Sequence, residues 1–245
     1  MSMAAQYKAE ALVLGVHNWG EADKMVTLFT RERGKVKAAA FGSRRPKSSL
    51  AAGMQMFQHV EVHMTEGRRL DTVRQCALLH RYRKLGEDLT AMAYGSFVAE
   101  ILREFLPENA VEPKAFDLML EIFQAFETRN PRVTALAAAW QLLAHFGLQL
   151  RLDRCVHCGK EIDGDAFLHI GEGGVLCNAC SIPDARAFPA GGRAFLQELL
   201  ELDWKQPRLK VQRENLLMAE QTLLAYLQGM LGKPLRSLDF IRQLV

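Results

Sequence analysis

Apolar and polar residues alternate with period two through the first third of this 245-residue chain and follow a helical period after it. Tyr7–Val16 alternates until it becomes the apolar run ALVLGV, and Met25–Thr30 (MVTLFT) is short, apolar and β-branched. Lys35–Phe41 (KVKAAAF), Phe57–Met64 (FQHVEVHM) and Leu70–Gln75 complete a set of five predicted strands. Gly20, Gly34, Gly42, Gly53 and Gly67 fall at or near the turns between them. FQHVEVHM has period 2, which a helix does not produce. Five short strands with turn signals about every ten residues predict a small β-barrel or sandwich.

After Arg81 the period changes. Residues 86–106 place Leu89, Ala93, Phe97, Ile101 and Phe105 on one stripe at i+4 spacing. Pro113 opens a second helix running to about Thr128, with Phe116, Leu120 and Phe123 on one face, and Pro131 opens a third that closes near Gly147. Proline at a first helical turn costs least there, because its missing N–H has no partner in any case. Residues 190–204, 212–231 and 235–244 continue the helical pattern, broken at Gly232–Lys233–Pro234. Residues 151–189 interrupt it with Cys, Gly, Asp and Pro. The expected class is α+β, with a β-barrel domain over 1–80 and an α-helical domain over 81–245 that carries an insertion at about 151–189.

Hydrophobic residues make up 49% and charged residues 24%, the balance of an ordinary globular chain. No stretch approaches the roughly 18 uninterrupted apolar residues of a membrane span. The N-terminus MSMAAQYKAEALVL lacks the basic, apolar and small-residue regions of a secretion signal. The reading is a cytoplasmic protein with no membrane partner. Charge is divided unevenly. Residues 1–85 hold 15 Lys+Arg against 7 Asp+Glu, a net of +8, and the remainder carries −5. A basic module joined to an acidic scaffold points to a polyanion.

Four of the five cysteines form Cys155-Val-His-Cys158 and, 18 residues later, Cys177-Asn-Ala-Cys180. Two residues between the sulfurs of each pair let a tight knuckle turn both thiolates toward one ion, and two knuckles supply the four tetrahedral ligands of zinc. The intervening GKEIDGDAFLHIGEGGVL reads as a β-hairpin with AFLHI and GGVL as its strands, the layout of a zinc ribbon. Four sulfurs close the shell and leave no position for water, so one structural Zn²⁺ is expected. His157 and His169 are the alternative ligands. Cys76 stands apart and is most simply a small buried hydrophobe.

The segment RERGKVKAAAFGSRRPKS, beginning at Arg31, sets seven cations (Arg31, Arg33, Lys35, Lys37, Arg44, Arg45, Lys47) against Glu32 alone. Lys35 and Lys37 share a strand face, and the turn at Gly42–Ser43 presents the other three as a cluster that suits a phosphate backbone. Arg68, Arg69 and Arg74 add charge from the next hairpin. Trp19 and Phe41 lie near these turns, either as core aromatics or as surfaces on which bases stack. GxxxxGK[ST], GxSxG and HExxH are all absent, and His59 and His63, four apart on a strand, stand about 13 Å from each other. Asp163, Asp165 and Glu172 are the only local group of carboxylates and read as solvated turn residues. No catalytic constellation emerges, and the expectation is a protein that is not an enzyme.

The segment ALVLGVHNWGEADKMVTLFTRERGKVKAAAFGSRRPKSSLAAGMQMFQHVEV closely resembles the N-terminal signature of the RecO family of bacterial DNA repair and recombination mediators. Its GEAD turn, the LFTRERGK segment and the GSRRPKS turn carry the likeness, which continues through LDRCVHCG, LCNAC and the closing PLRSLDFIRQLV. The resemblance implies an oligonucleotide-binding (OB) fold followed by a helical domain with a zinc-finger insertion. It further implies binding of single- and double-stranded DNA, annealing of complementary strands without ATP, and, with RecR, help to RecA in displacing the single-stranded DNA-binding protein (SSB). The acidic C-terminal tail of SSB would then meet the helical domain near Arg129–Arg132, Arg151 or Lys205–Lys210. Two other functions remain open on the residues: a zinc-ribbon nucleic-acid regulator, or an adaptor without annealing activity.

Overall fold

The computed structural model describes residues 5–206 and 209–244. Five strands form a closed barrel: β1 (Gln6–Trp19), β2 (Asp23–Thr30), β3 (Gly34–Ala40), β4 (His59–Thr65) and β5 (Asp71–His80). The order around it is β1-β2-β3-β5-β4, with β4 returning to β1. All pairings are antiparallel except a short parallel seam where Ala38 and Ala39 of β3 meet Asp71 and Thr72 of β5. This is the strand order of an OB fold. Alternate residues of each strand, among them Ala9, Ala11, Val13, Val26, Leu28, Val36, Val60, Val62 and Met64, fill the interior. Leu50 and Met54, from the connection between β3 and β4, join them.

The apolar run in β1 arises because that strand is buried on both faces. Ala11 and Val13 point inward, whereas Leu12 and Leu14 are equally buried on the outside. Helices α1 (Arg83–Glu87), α2 (Leu89–Phe105) and α3 (Pro113–Thr128) follow the barrel. Phe29 meets Phe116 of α3 at 5.4 Å between ring centroids, and Phe57 meets Phe123 edge-on at 5.7 Å. These contacts make the barrel and α1–α3 one compact unit, joined by the end of the chain from Phe240, well beyond the change from strands to helices near residue 80.

The helix expected over 86–106 is broken at Asp88. That residue is extended (φ −100°, ψ 119°) and accepts the Ala91 N–H at 2.7 Å as the N-cap of α2. Leu89, at the first position of α2, is consequently exposed, and Leu120 is only half-buried while Met119 and Ile122 take the core side of α3. β5 extends five residues past the expected Gln75, because Leu78 and Leu79 are exposed and leave no alternation to read.

The second unit, Arg132–Asp239, holds most of α4 (Pro131–His145), then β6 (Ala166–His169), β7 (Gly174–Leu176), a 3₁₀ turn at Asn178–Cys180, β8 (Arg186–Phe188), α5 (Ala190–Leu200) and α6 (Arg213–Leu231). A last helix, α7, spans Arg236–Leu244. Trp140 of α4 is fully buried and stacks on Tyr226 of α6, whose hydroxyl donates to the Leu148 carbonyl at 2.9 Å. The expected hairpin is present as β6–β7, and β8 adds a third strand in the order β7-β6-β8. No helix among the described residues is long and apolar enough to cross a membrane.

Candidate functional site

Two knuckles bring the four cysteines together. In the first, Gly159 takes φ +74°, and its N–H donates to the Cys155 carbonyl at 2.9 Å while the Cys155 N–H reaches the Lys160 carbonyl at 2.8 Å. In the second, Cys177 follows β7 directly and the 3₁₀ turn folds Cys180 back, its N–H 3.0 Å from the Cys177 carbonyl. The Sγ atoms of Cys155, Cys158, Cys177 and Cys180 all lie within 4.8 Å of one another, and those of Cys158 and Cys177 are 3.8 Å apart. Tetrahedral zinc with Zn–S arms of about 2.3 Å requires sulfur–sulfur edges of about 3.8 Å, so these residues fit a metal ion.

Electrostatics point the same way. Burial opposes ionisation of Cys155, but N–H groups of Cys158, Cys177 and His157 hold its thiol down to about 6. The hydrogen-bonded thiols of Cys177 and Cys158 push Cys180 up to about 12, so four thiolates together call for a cation among them. Neither histidine belongs to the cluster. His157 Nε2 lies 3.2 Å from Glu172, and His169 Nδ1 accepts the Glu172 N–H at 3.0 Å. Asp165 accepts the Ala190 N–H at 2.9 Å, at the start of α5. Among the described residues, the four cysteines are the one group of three or more His, Cys, Asp or Glu close enough to share an ion. The buried Arg193 of α5, which no pattern in the sequence marks, donates to the Leu152 carbonyl at 3.1 Å and the Gly164 carbonyl at 3.2 Å, fastening this module to the helix.

The ten cations of the basic module divide three ways. Arg31 and Lys35 are tied into the fold. Arg31 bonds Glu10 at 2.8 Å and Asp117 at 2.7 Å and lies over the Phe116 ring, while Lys35 donates to the Arg103 and Leu106 carbonyls. Burial lowers the pKa of Lys35. Arg33 and Lys37 stay at the surface in ion pairs with Glu66 (3.3 Å) and Glu108 (3.0 Å). The remaining six, Arg44, Arg45, Lys47, Arg68, Arg69 and Arg74, are exposed and form no ion pair among the described residues.

Two grooves follow each other along β5. One, of about 380 Å³, collects Arg33, Lys35, Lys37, Arg68 and Arg69, but Glu66, Asp71 and Glu108 share its wall. The other, of about 500 Å³, is lined by Phe41, Arg45, Lys47, Thr72 and Arg74 and by no carboxylate. Trp19 and Phe41 are surface residues and not core, 43% and 52% exposed. Of the stretches considered for an acidic peptide, Arg132 is held by Glu220 through two contacts of 2.5 Å, and Pro207 and Arg208 lie outside the described residues.

The sequence matches two family models along its length: "Recombination protein O N terminal" over residues 1–82 and "Recombination protein O C terminal" over residues 86–239. Among curated relatives, the DNA repair protein RecO of Symbiobacterium thermophilum is 32% identical over 245 residues, 97% of each chain. That of Desulforudis audaxviator is 32% identical over 243 residues, 98% of this chain and 97% of its own. That of Bacillus subtilis is 33% identical over 183 residues, 74% of this chain and 71% of its own. With both family models matched in order and relatives aligned nearly end to end, the chain belongs to the RecO family of DNA repair proteins.

Proposed function

We propose that this protein binds single- and double-stranded DNA and anneals complementary strands without ATP, and that with RecR it helps RecA replace SSB on the DNA. The carboxylate-free groove of Arg45, Lys47 and Arg74 in the OB barrel of a RecO family member carries this reading. Cations there neutralise phosphates, so that two strands approach without mutual repulsion. Base pairing then supplies the free energy, and the protein acts as a scaffold and not as an enzyme. If about six phosphates are neutralised on single strands, log affinity falls against log salt with a slope near −4. The ion held by Cys155, Cys158, Cys177 and Cys180 is one structural Zn²⁺, whose contribution is to close the module between α4 and α5. The acidic SSB tail docks on the helical domain, and the protein works in the cytoplasm on the nucleoid.

The test is annealing of two complementary fluorescent oligonucleotides, each coated with SSB, without ATP and at two salt concentrations. Fast annealing that weakens with salt is the expected result. Tight DNA binding with no annealing would replace this reading with that of a zinc-ribbon regulator or adaptor.

A further inference from the structure

Large aromatic side chains are ordinarily buried, yet two of them share an exposed corner of the barrel. Trp19 ends β1 and Phe41 follows β3, and their ring centroids are 5.9 Å apart with the planes tilted by 39°. The corner is held in place before any ligand arrives. Asp23 accepts the Gly42 N–H at 2.7 Å, the Ala22 carbonyl accepts the Arg44 N–H at 2.9 Å, and the Arg44 guanidinium donates to the Gly20 carbonyl at 3.0 Å. Ser43, two residues after Phe41 in the same turn, is buried and donates its hydroxyl to the Ala40 carbonyl. Gly20 and Gly42 both take positive φ, +61° and +66°, which lets the chain turn sharply beside each ring.

Stacked bases repeat at about 3.4 Å, so a base inserted between two rings needs them about 7 Å apart. The observed 5.9 Å is too close for that. The pair instead offers two adjoining, mutually tilted ring faces at an exposed corner, and Phe41 also lines the groove that holds Arg45, Lys47 and Arg74. An exposed aromatic face joined to cations that form no ion pair among the described residues matches a nucleotide whose base is free to leave a stack. A duplex, whose bases are already stacked, gains only the phosphate contacts.

We propose that Trp19 and Phe41 form a stacking platform for an unpaired base, which gives this barrel a preference for single-stranded over double-stranded DNA without regard to sequence. The proposal rests on the DNA-binding reading above and adds to it the strand type and the site of the base.

Trp19 is its own probe, because the other two tryptophans, Trp140 and Trp204, are buried. Oligothymidylate is expected to quench the Trp19 emission, and a blunt hairpin duplex to leave it nearly unchanged. The double variant Trp19→Ala/Phe41→Ala is expected to bind oligothymidylate roughly 5- to 150-fold more weakly, the effect of removing the aromatic surface beneath one base. Its duplex affinity and its salt slope stay at the parent values, and Trp19→Phe restores most of the single-strand affinity. Oligothymidylate that binds without quenching, and equally well to the double variant, would overturn the platform and leave the DNA-binding reading intact. Failure of the parent protein to bind either DNA would overturn both.

Discussion

The ammonium of Lys35 lies 2.7 Å from the carbonyl oxygen of Leu106, the residue that caps the C-terminus of α2. It also reaches the Arg103 carbonyl at 2.8 Å, so one cation serves two carbonyls that have no partner within the helix. A positive charge also complements the negative end of the helix dipole. Lys35→Met is therefore expected to lower stability by about 1.5–3 kcal/mol, the range of hydrogen bonds to a charged group. The salt slope of DNA binding should stay unchanged. Urea unfolding and a salt titration of the same variant check the two halves, and a flattened slope would return Lys35 to the phosphate-binding set.

Charge reversal at Arg45, Lys47 and Arg74 carries the opposite expectation. These side chains are exposed, so the fold should keep its urea midpoint. Each single-strand phosphate that is no longer neutralised reduces the slope of log affinity against log salt by about 0.7. The triple variant should thus flatten that slope by about 2. Reversal of Arg68 and Arg69, whose groove already contains three carboxylates, is expected to do less.

Strand positions and the cysteine knuckles were legible in the sequence because both depend on local spacing. Period-two burial in β4 and two residues between paired sulfurs are set within a single element. What escaped depends on distant partners. Lys35 and Lys37 share a strand face as expected, yet one meets backbone carbonyls some 70 residues away and the other an exposed Glu108, and nothing in KVK distinguishes them. β8 is three residues long and exists only because β6 offers an open edge. The break at Asp88 did have a signal, an aspartate placed to cap the following turn. Exposure of Trp19 and Phe41 had none, since aromatics beside turns occur in cores and on surfaces alike.

Metal removal should act on the insertion first. Chelation is expected to release about one equivalent of zinc and to loosen β6–β8, while α4, whose buried Trp140 packs on Tyr226, keeps its helical signal. Thiol titration follows the change. Loosening also breaks the hydrogen bonds from Cys177 and Cys158 that hold the Cys180 thiol up, so Cys155, Cys158, Cys177 and Cys180 should all become reactive, whereas Cys76, packed in the intact barrel, stays slow because burial pushes its thiol up to about 11. A protein as purified that contains much less than one equivalent, with four thiols already reactive, would contradict the zinc assignment.

Acid sensitivity should trace to Glu10. Its carboxylate accepts Arg31 Nε at 2.8 Å and contacts His59 Nε2 at 2.8 Å, joining β1 to β4 and to the loop after β2. Burial opposes ionisation of this group, but the hydrogen bonds from Arg31 and His59 prevail and hold its pKa below the usual carboxylate value. A carboxylate depressed in the folded state binds fewer protons there than in the unfolded chain at the same mildly acidic pH. Its contribution is consequently complete above a pH of about 4.5 and is lost as the pH falls through the lower, folded value. Glu10→Gln lacks the charge at every pH. The variant should be less stable than the parent at pH 7, and the gap should narrow as the solution is acidified below about 4.5. Urea midpoints of both proteins along that series decide the matter, and a gap that stays constant into acid would place the stabilising charge elsewhere.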